Sequence, residues 1–556
     1  MDNPTPHRRL HPCTPIVALA ALLLAVATVQ AAAPDGRIAP LLDGMGSHQH
    51  SISTDDPMAQ RYFNQGLVLT FNFNHAEAAR SFEEAARRDP DCAICWWGVA
   101  LVLGPNPNSV MEDDAVALAW AALAKARTLA PRASDPERAY IAALSTRYGP
   151  TPVEDRSALD LAYAAAMREL TAAYPDDLDA ATLFAESLMV TTPWDYWQDD
   201  GQPKPVAREL IAVLESVIAR NPTHPGANHL YIHAVEAEQP EKAVAAADRL
   251  QDLVPGAGHL QHMPSHIYIR VGRYQEAARA NEIAIAADDQ YVTQCHAQGL
   301  YPLTYMPHNR HFLWAAATLA GRSETALRAA AEMADKIDQE TMREAGLETL
   351  QHYWVTPLYA LTRFGRWQEI LEFAQPEDDL LYPQGVWRYA RAMAYARSGR
   401  TEEARVELAA LEAVAEDDRL ESITVWEINT TAALLAIAVE TVRGEIAAAE
   451  GDYTRATVHL ERGVELQDGL NYDEPDPWHA SVRHTLGAVY LQAGRPESAR
   501  DAFLKDLETF PDNGWALAGL EAALRALGET AQADQVHARF EVAWQHADVT
   551  LDSARF

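Results

Sequence analysis

The sequence predicts an all-α fold, a solenoid of stacked helix hairpins, and three observations carry that expectation. The composition is rich in alanine and favours helix, with apolar residues making up 48% of the chain. A short turn recurs between apolar helical stretches, in VGRYQEAARAN, FGRWQEI, SGRTEEA and EGDYTRA. Small and aromatic residues also return in register, in FNQGLVLTFNFNHAEAARSFEEAARRDP and again in HTLGAVYLQAGRPESARDAFLKDLETFP. A hairpin of this kind buries its small-residue face only against its neighbours, so the units must stack.

Taken in order, the chain opens with a targeting segment, Met1–Ala33. Arg8 and Arg9 precede the short apolar run Ile16–Val29, and VQAAA supplies small residues for cleavage. The run is too short for an ordinary membrane span, and Cys13 lies before it. A strap at residues 34–58 leads into a repeat array at 59–414, followed by further helical repeats at 415–556. In the array, Gly66, Ala78, Phe82, Ala85 and Pro90 occupy the packing positions of a tetratricopeptide repeat; so do Leu486, Gly487, Tyr490, Ala499, Phe503 and Pro511. The stretch from Asp55 to Ala547 thus resembles the tetratricopeptide repeat family, and the resemblance implies a right-handed superhelix with a concave groove. Phase is poor between Lys125 and Pro175, where two helices are still expected, and is lost from Glu416 to Gly444. Three interruptions stand out: Thr191–Pro205, Gly299–Pro307 and Asn471–Trp478. The first contains Trp194, Tyr196 and Trp197 and suits an ordered loop over a site.

The formal charge of −34, from 45 Lys and Arg against 79 Asp and Glu, argues against a nucleic-acid partner. Such acidity favours cationic partners or metal ions. With the targeting segment removed, three cysteines remain: Cys92, Cys95 and Cys295. In an oxidising compartment Cys92 and Cys95 either close a small disulfide or are two buried small residues at a repeat junction. The first of these leaves Cys295 unpaired. Trp96 stands where c-type haem attachment requires histidine.

Seven of the 20 histidines fall between Asn221 and Leu313 at helical spacings: His229, His233, His259, His262, His266, His308 and His311. The tetratricopeptide resemblance implies that positions 2, 5, 9 and 12 of each first helix face the groove. Counted from the prolines, His229, His233 and Glu236 fall at positions 5, 9 and 12, and His259, His262 and His266 at 2, 5 and 9. Glu186 falls at 9, His308 and His311 at 2 and 5, and His352 at 2. Pro264 interrupts its helix or begins it, which leaves His259 and His262 in the helix or at its entry. Histidines at i and i+4 on one face bind a divalent metal, and two such pairs occur, His229/His233 and His262/His266. Glu186 or Glu236 supplies a carboxylate ligand or a base. The donors imply a transition metal, zinc or copper, with affinity falling below roughly pH 6 as imidazoles protonate. The bland reading is that each histidine is a hydrogen-bonded helix residue and the groove holds a peptide or a partner helix.

No phosphate loop, nucleophile elbow or Ser-His-Asp order is legible, so no catalytic residue is assigned. DPDCAICWWGVALVLGPNPN, LVPGAGHLQHMPSHIYIRVGRY and YMPHNRHFLWAAATLAGRS are similar to a group of exported bacterial tetratricopeptide proteins with no established activity. That resemblance implies fold and a periplasmic or secreted location only.

Overall fold

The structure, a computed structural model, describes residues 36–198, 200–295 and 300–556; Met1–Ala33, where a targeting segment is expected, and Cys13 within it lie outside them, as does the side chain of Cys295. The described chain is helical almost throughout, as its alanine content and breaker-free segments require. Its first helices are α1 (Pro57–Phe71), α2 (His75–Arg88), α3 (Ala93–Val102), α4 (Asp113–Leu129), α5 (Asp135–Leu144), α6 (Ser157–Ala173), α7 (Leu178–Val190) and α8 (Pro205–Arg220). There follow α9 (Pro225–Val235), α10 (Val244–Leu253), α11 (Gly258–His262), α12 (Pro264–Arg270), α13 (Tyr274–Cys295) and α14 (Leu300–Leu319). The chain continues through α15 (Ser323–Ala334), α16 (Thr349–Arg363), α17 (Trp367–Glu372), α18 (Leu381–Arg397), α19 (Thr401–Ala415) and α20 (Thr431–Ala449). It ends in α21 (Tyr453–Asp468), α22 (Val482–Gln492), α23 (Pro496–Thr509), α24 (Gly514–Leu527) and α25 (Thr530–Ala543). Each helix packs chiefly on its neighbours in the chain, the signature of a repeat array.

Among the described residues two compact units emerge: residues 36–267 with 280–295 and 300–309, and residues 268–279 with 310–556. They do not coincide with the sequence boundary drawn at residue 414. Where the repeat phase is lost, the second unit has a short 3-10 turn, Asp418–Glu421, and a minimal hairpin pairing Thr424–Val425 with Asn429–Thr430. The interruption expected at Gly299–Pro307 is corrected: residues 300–307 are the opening turns of α14, which continues through Pro307. Pro307 costs that helix one hydrogen bond, which a buried 20-residue helix tolerates. Between Lys125 and Pro175 both expected helices form, as α5 and α6.

In the first unit, close packing follows from glycine facing an aromatic ring. Gly66 on α1 and Gly98 on α3 both abut Phe82 of α2, and a Cβ would meet its ring at 2.7 Å and 2.5 Å respectively. Cys92 and Cys95 are joined as a disulfide at the start of α3, and both are buried. The strap is pinned rather than loose. Leu42 N donates to Gln65 Oε1 (2.8 Å), Ile38 N to Glu84 Oε2 (3.1 Å) and Ser53 N to Glu137 Oε1 (2.7 Å).

Substituting Gly98→Val should force the Phe82 ring from its seat and lower stability by about 1–3 kcal/mol. Urea denaturation of the purified variant measures this, and an unchanged midpoint would contradict the packing described.

A buried imidazole cluster as candidate metal centre

Helix α9 begins with Pro225 at its first position, where a missing N–H costs nothing. His224 caps it, its Nδ1 accepting from Ala227 N (3.2 Å). On this helix His229 and His233 share a face, and Glu236 stands at the C-cap. The next first helix is broken in two: α11 carries His259 and His262, Met263 closes it, and Pro264 opens α12 with His266. Pro264 therefore begins a helix, and His259 and His262 lie on the short helix before it. The N-terminal N–H groups of α11 are satisfied from elsewhere: His259 N donates to Tyr301 Oη (3.0 Å) and Leu260 N to Asn72 Oδ1 (3.0 Å). Tyr301 donates in turn to Asp288 (3.0 Å).

These elements bring six imidazoles and one carboxylate together inside the first unit. His229, His233 and His259 form one group, and His262, His266 and His308 another, with the nitrogens of each group within 4.8 Å of one another. Glu236 forms a third group with His233 and His266, one residue from each triad. Ring centroids are 4.9 Å apart for His229/His233, 5.3 Å for His233/His266, 4.8 Å for His262/His266 and 4.9 Å for His262/His308. All are buried except His308, which is intermediate.

Two hydrogen bonds set tautomers. His229 Nδ1–H donates to the Phe71 carbonyl (2.6 Å), and His262 Nδ1–H donates to Asn281 Oδ1 (2.7 Å). Each leaves an Nε2 lone pair facing the cluster. His229 Nε2 and both ring nitrogens of His233 and His259 are buried without a hydrogen bond. Glu236 Oε2 stands 3.0 Å from His266 Nδ1 and 3.4 Å from His233 Nδ1. Both are ion-pair contacts to the same carboxylate oxygen. His262 Nε2 faces His266 Nε2 at 2.9 Å. With a hydrogen on His266 Nδ1 toward the carboxylate, both facing nitrogens present lone pairs, and a cation relieves their repulsion.

Burial first, and then neighbouring imidazoles, holds His229, His259, His262 and His308 well below the usual histidine range. They are neutral at pH 7, the form that ligates metal. Burial alone would raise the Glu236 carboxyl, but His266 and His233 outweigh it and bring it to about 2. Seven donors with these tautomers suit a divalent cation.

Two expected residues lie elsewhere. Glu186 is a correction: it joins none of the ligand groups found among the described residues. It is a buried carboxyl raised to about 7 by burial, with Arg147 opposing the rise. Its position on α7 satisfied the periodicity, but that face meets Arg147. His311 belongs to the second unit, where its ring packs on Trp314 (5.1 Å), His352 (5.3 Å) and Tyr353 (5.2 Å). His352 accepts or donates at Nδ1 with Tyr382 Oη (2.8 Å), a structural bond.

Sequence reasoning placed Trp194 in a loop over a site but missed a second aromatic wall, Phe73, as well as Asn281 and a second cluster. Phe73 adopts φ +53° and Trp194 φ +60°, left-handed values that are strained for bulky side chains. The Phe73 ring lies 4.5 Å from His229 and 5.6 Å from His259, and the Trp194 ring meets His233 edge-on at 5.1 Å. A signal was present: Phe73 stands where other repeats place the turn glycine, such as Gly272, Gly321 and Gly494. The second cluster centres on Asp179. It binds His48 Nε2 (2.8 Å), His50 Nδ1 (2.8 Å) and His224 Nε2 (3.1 Å), fastening the strap to α7. Because His224 accepts at Nδ1 and donates at Nε2, it is already satisfied.

The tetratricopeptide repeat family description matches residues 59–92, the α1–α2 hairpin. That hairpin is a tetratricopeptide repeat. No curated protein sequence matches it. Among solved structures, the APC/C hetero-tetramer Cut9-Hcn1 is similar at 14% identity and TM-score 0.28, covering 88% of this chain and 77% of that one. A human IFIT1 dimer with m7Gppp-AAAA is similar at 12% identity and TM-score 0.29, covering 88% and 91%. Scores this low transfer nothing about ligands. Among the described residues, no helix is long and apolar enough to cross a membrane.

Two outcomes follow for the metal-free protein. Histidines depressed in the folded state are protonated first in the unfolded chain, so stability should hold above pH 6.5 and fall below it. The loss is roughly 1 kcal/mol per fully buried histidine between pH 6.5 and 5.5. Urea melts at both values check this; equal stability would contradict neutral burial. Asp179→Asn should cost about 3 kcal/mol, since it leaves three imidazoles without their carboxylate. Hydrogen exchange across residues 46–54 should rise in that variant.

Proposed function

We propose that this protein binds a divalent transition metal, zinc or copper, in the buried imidazole cluster of its first unit. The repeats by themselves suggest a protein-binding scaffold; the cluster adds the finer reading. One observation carries it: His262 Nε2 faces His266 Nε2 at 2.9 Å, beside three further imidazoles whose buried nitrogens lack hydrogen bonds. Each such nitrogen costs about 1–3 kcal/mol if left unpaired. A metal ion satisfies several at once, and Zn–N bonds of about 2.0–2.1 Å require only small movements of rings already this close. Copper and zinc both accept imidazole, so the donors leave that choice open.

Export to a periplasm or the cell exterior is part of the same proposal. The N-terminal sequence and the Cys92–Cys95 disulfide support it, because such bonds persist in oxidising compartments. A groove that binds a peptide or partner protein remains the second reading, favoured by the repeat architecture alone.

Metal analysis of protein purified without a His tag should find near-stoichiometric zinc or copper, lost by at least tenfold in His262→Ala. Finding no metal in the wild type would leave the scaffold reading. Because the imidazoles are held well below their usual range, affinity should persist below pH 6, lower than the sequence alone implies. Titration at pH 7 and pH 5.5 tests this, and a steep loss at pH 5.5 would count against it.

A further inference from the structure

We propose that the cluster is a two-ion centre, with one ion in each histidine triad and Glu236 orienting one histidine of each. This inference rests on the metal reading above and specifies its stoichiometry. Six imidazoles exceed what one tetrahedral ion accepts. The donors divide instead into two triads, His229/His233/His259 and His262/His266/His308, each with its nitrogens within 4.8 Å. Glu236 is grouped with His233 and His266, one member of each triad, and so stands at the boundary between them. Three imidazole nitrogens give each ion three ligands, and Glu236 Oε2, beside Nδ1 of both His233 and His266, orients one ligand of each triad from behind.

The triads lie side by side. Rings meet across the boundary at 5.3 Å for His233/His266 and 5.7 Å for His259/His262. Those spacings suit ions separated by about 3.5–4 Å, as in two-metal sites. The Glu236 carboxylate also offsets part of the four positive charges that two divalent ions bring into an interior. The supports differ between the halves. His229 is oriented by the Phe71 carbonyl and walled by Phe73, whereas His262 is oriented by Asn281. His308 is the member of the six that is not fully buried, which places the solvent-facing side of the centre in the second triad. The ligands this centre takes are divalent first-row ions with affinity for imidazole.

The test is a count on the full mature chain without a His tag, stripped with chelator, loaded with zinc and freed of excess by gel filtration. Two zinc ions per chain are expected. His229→Asn and His308→Asn should each retain one, with circular dichroism confirming that the fold is kept. One ion in the wild type would overturn the two-ion centre while leaving the metal proposal standing; none would remove both. Wild-type stoichiometry decides the question even if a variant fails to fold. Loading with Cu(II) adds an independent readout of proximity. Two ions in adjoining triads should broaden one another's electron paramagnetic resonance lines by dipolar coupling, and the unbroadened spectrum of isolated copper at two ions per chain would overturn the shared centre.

Discussion

A neutral imidazole carries one N–H and one lone pair, and burying either without a partner costs about 1–3 kcal/mol. Six of them in one interior, with a carboxylate, set the condition that the first unit has to meet. Ordinary repeat packing would place apolar side chains on these helices. Here Asn281, the Phe71 carbonyl and Glu236 are drawn in to orient rings, while Tyr301, Asp288 and Asn72 hold the short helix α11 that carries two of them. The broken first helix, α11 then α12, follows from the same condition. It lets His259 and His262 approach from one segment and His266 from the next.

Strain is concentrated beside the cluster. Phe73 and Trp194 both hold left-handed backbone conformations, and both rings pack on its histidines. At the corresponding turn other repeats use glycine, which adopts that conformation at no steric cost. Keeping phenylalanine there places an apolar face against His229 and His259, excluding water and lowering the local dielectric. Trp194 comes from the insertion between α7 and α8, which is ordered by the Lys204 N to Tyr196 O bond (2.9 Å) and an ion pair between Lys204 and Asp195. The disulfide at Cys92 and the strap fastened at Asp179 stiffen the same unit.

The candidate site was legible in part. His229, His233, His262 and His266 were visible through i, i+4 spacing, which puts side chains on one helical face whatever that face meets. Glu236 was visible by the same count. Glu186 satisfied it equally well and faces Arg147 instead, because spacing gives a face and not the neighbour across it. His311 shares α14 with His308, yet its contacts are Trp314, His352 and Tyr353 of the second unit. Asn281 and Asp179 carried no local signal at all, since their roles arise only from residues 19 to 131 positions away.

By itself the sequence determined that the chain is a helical repeat array, where its hairpin turns fall and which helices carry histidine. Those properties depend on local propensity, on turn glycines and on a period of 3.6 residues, all of which are written along the chain. Tertiary structure alone decided that six imidazoles form two triads, that Glu236 stands between them, and that Phe73 and Trp194 enclose them. The positions of those groups depend on how far each helix is rotated and shifted against its neighbours. That is set by contacts such as Phe82 between Gly66 and Gly98, and no spacing within a single helix encodes it.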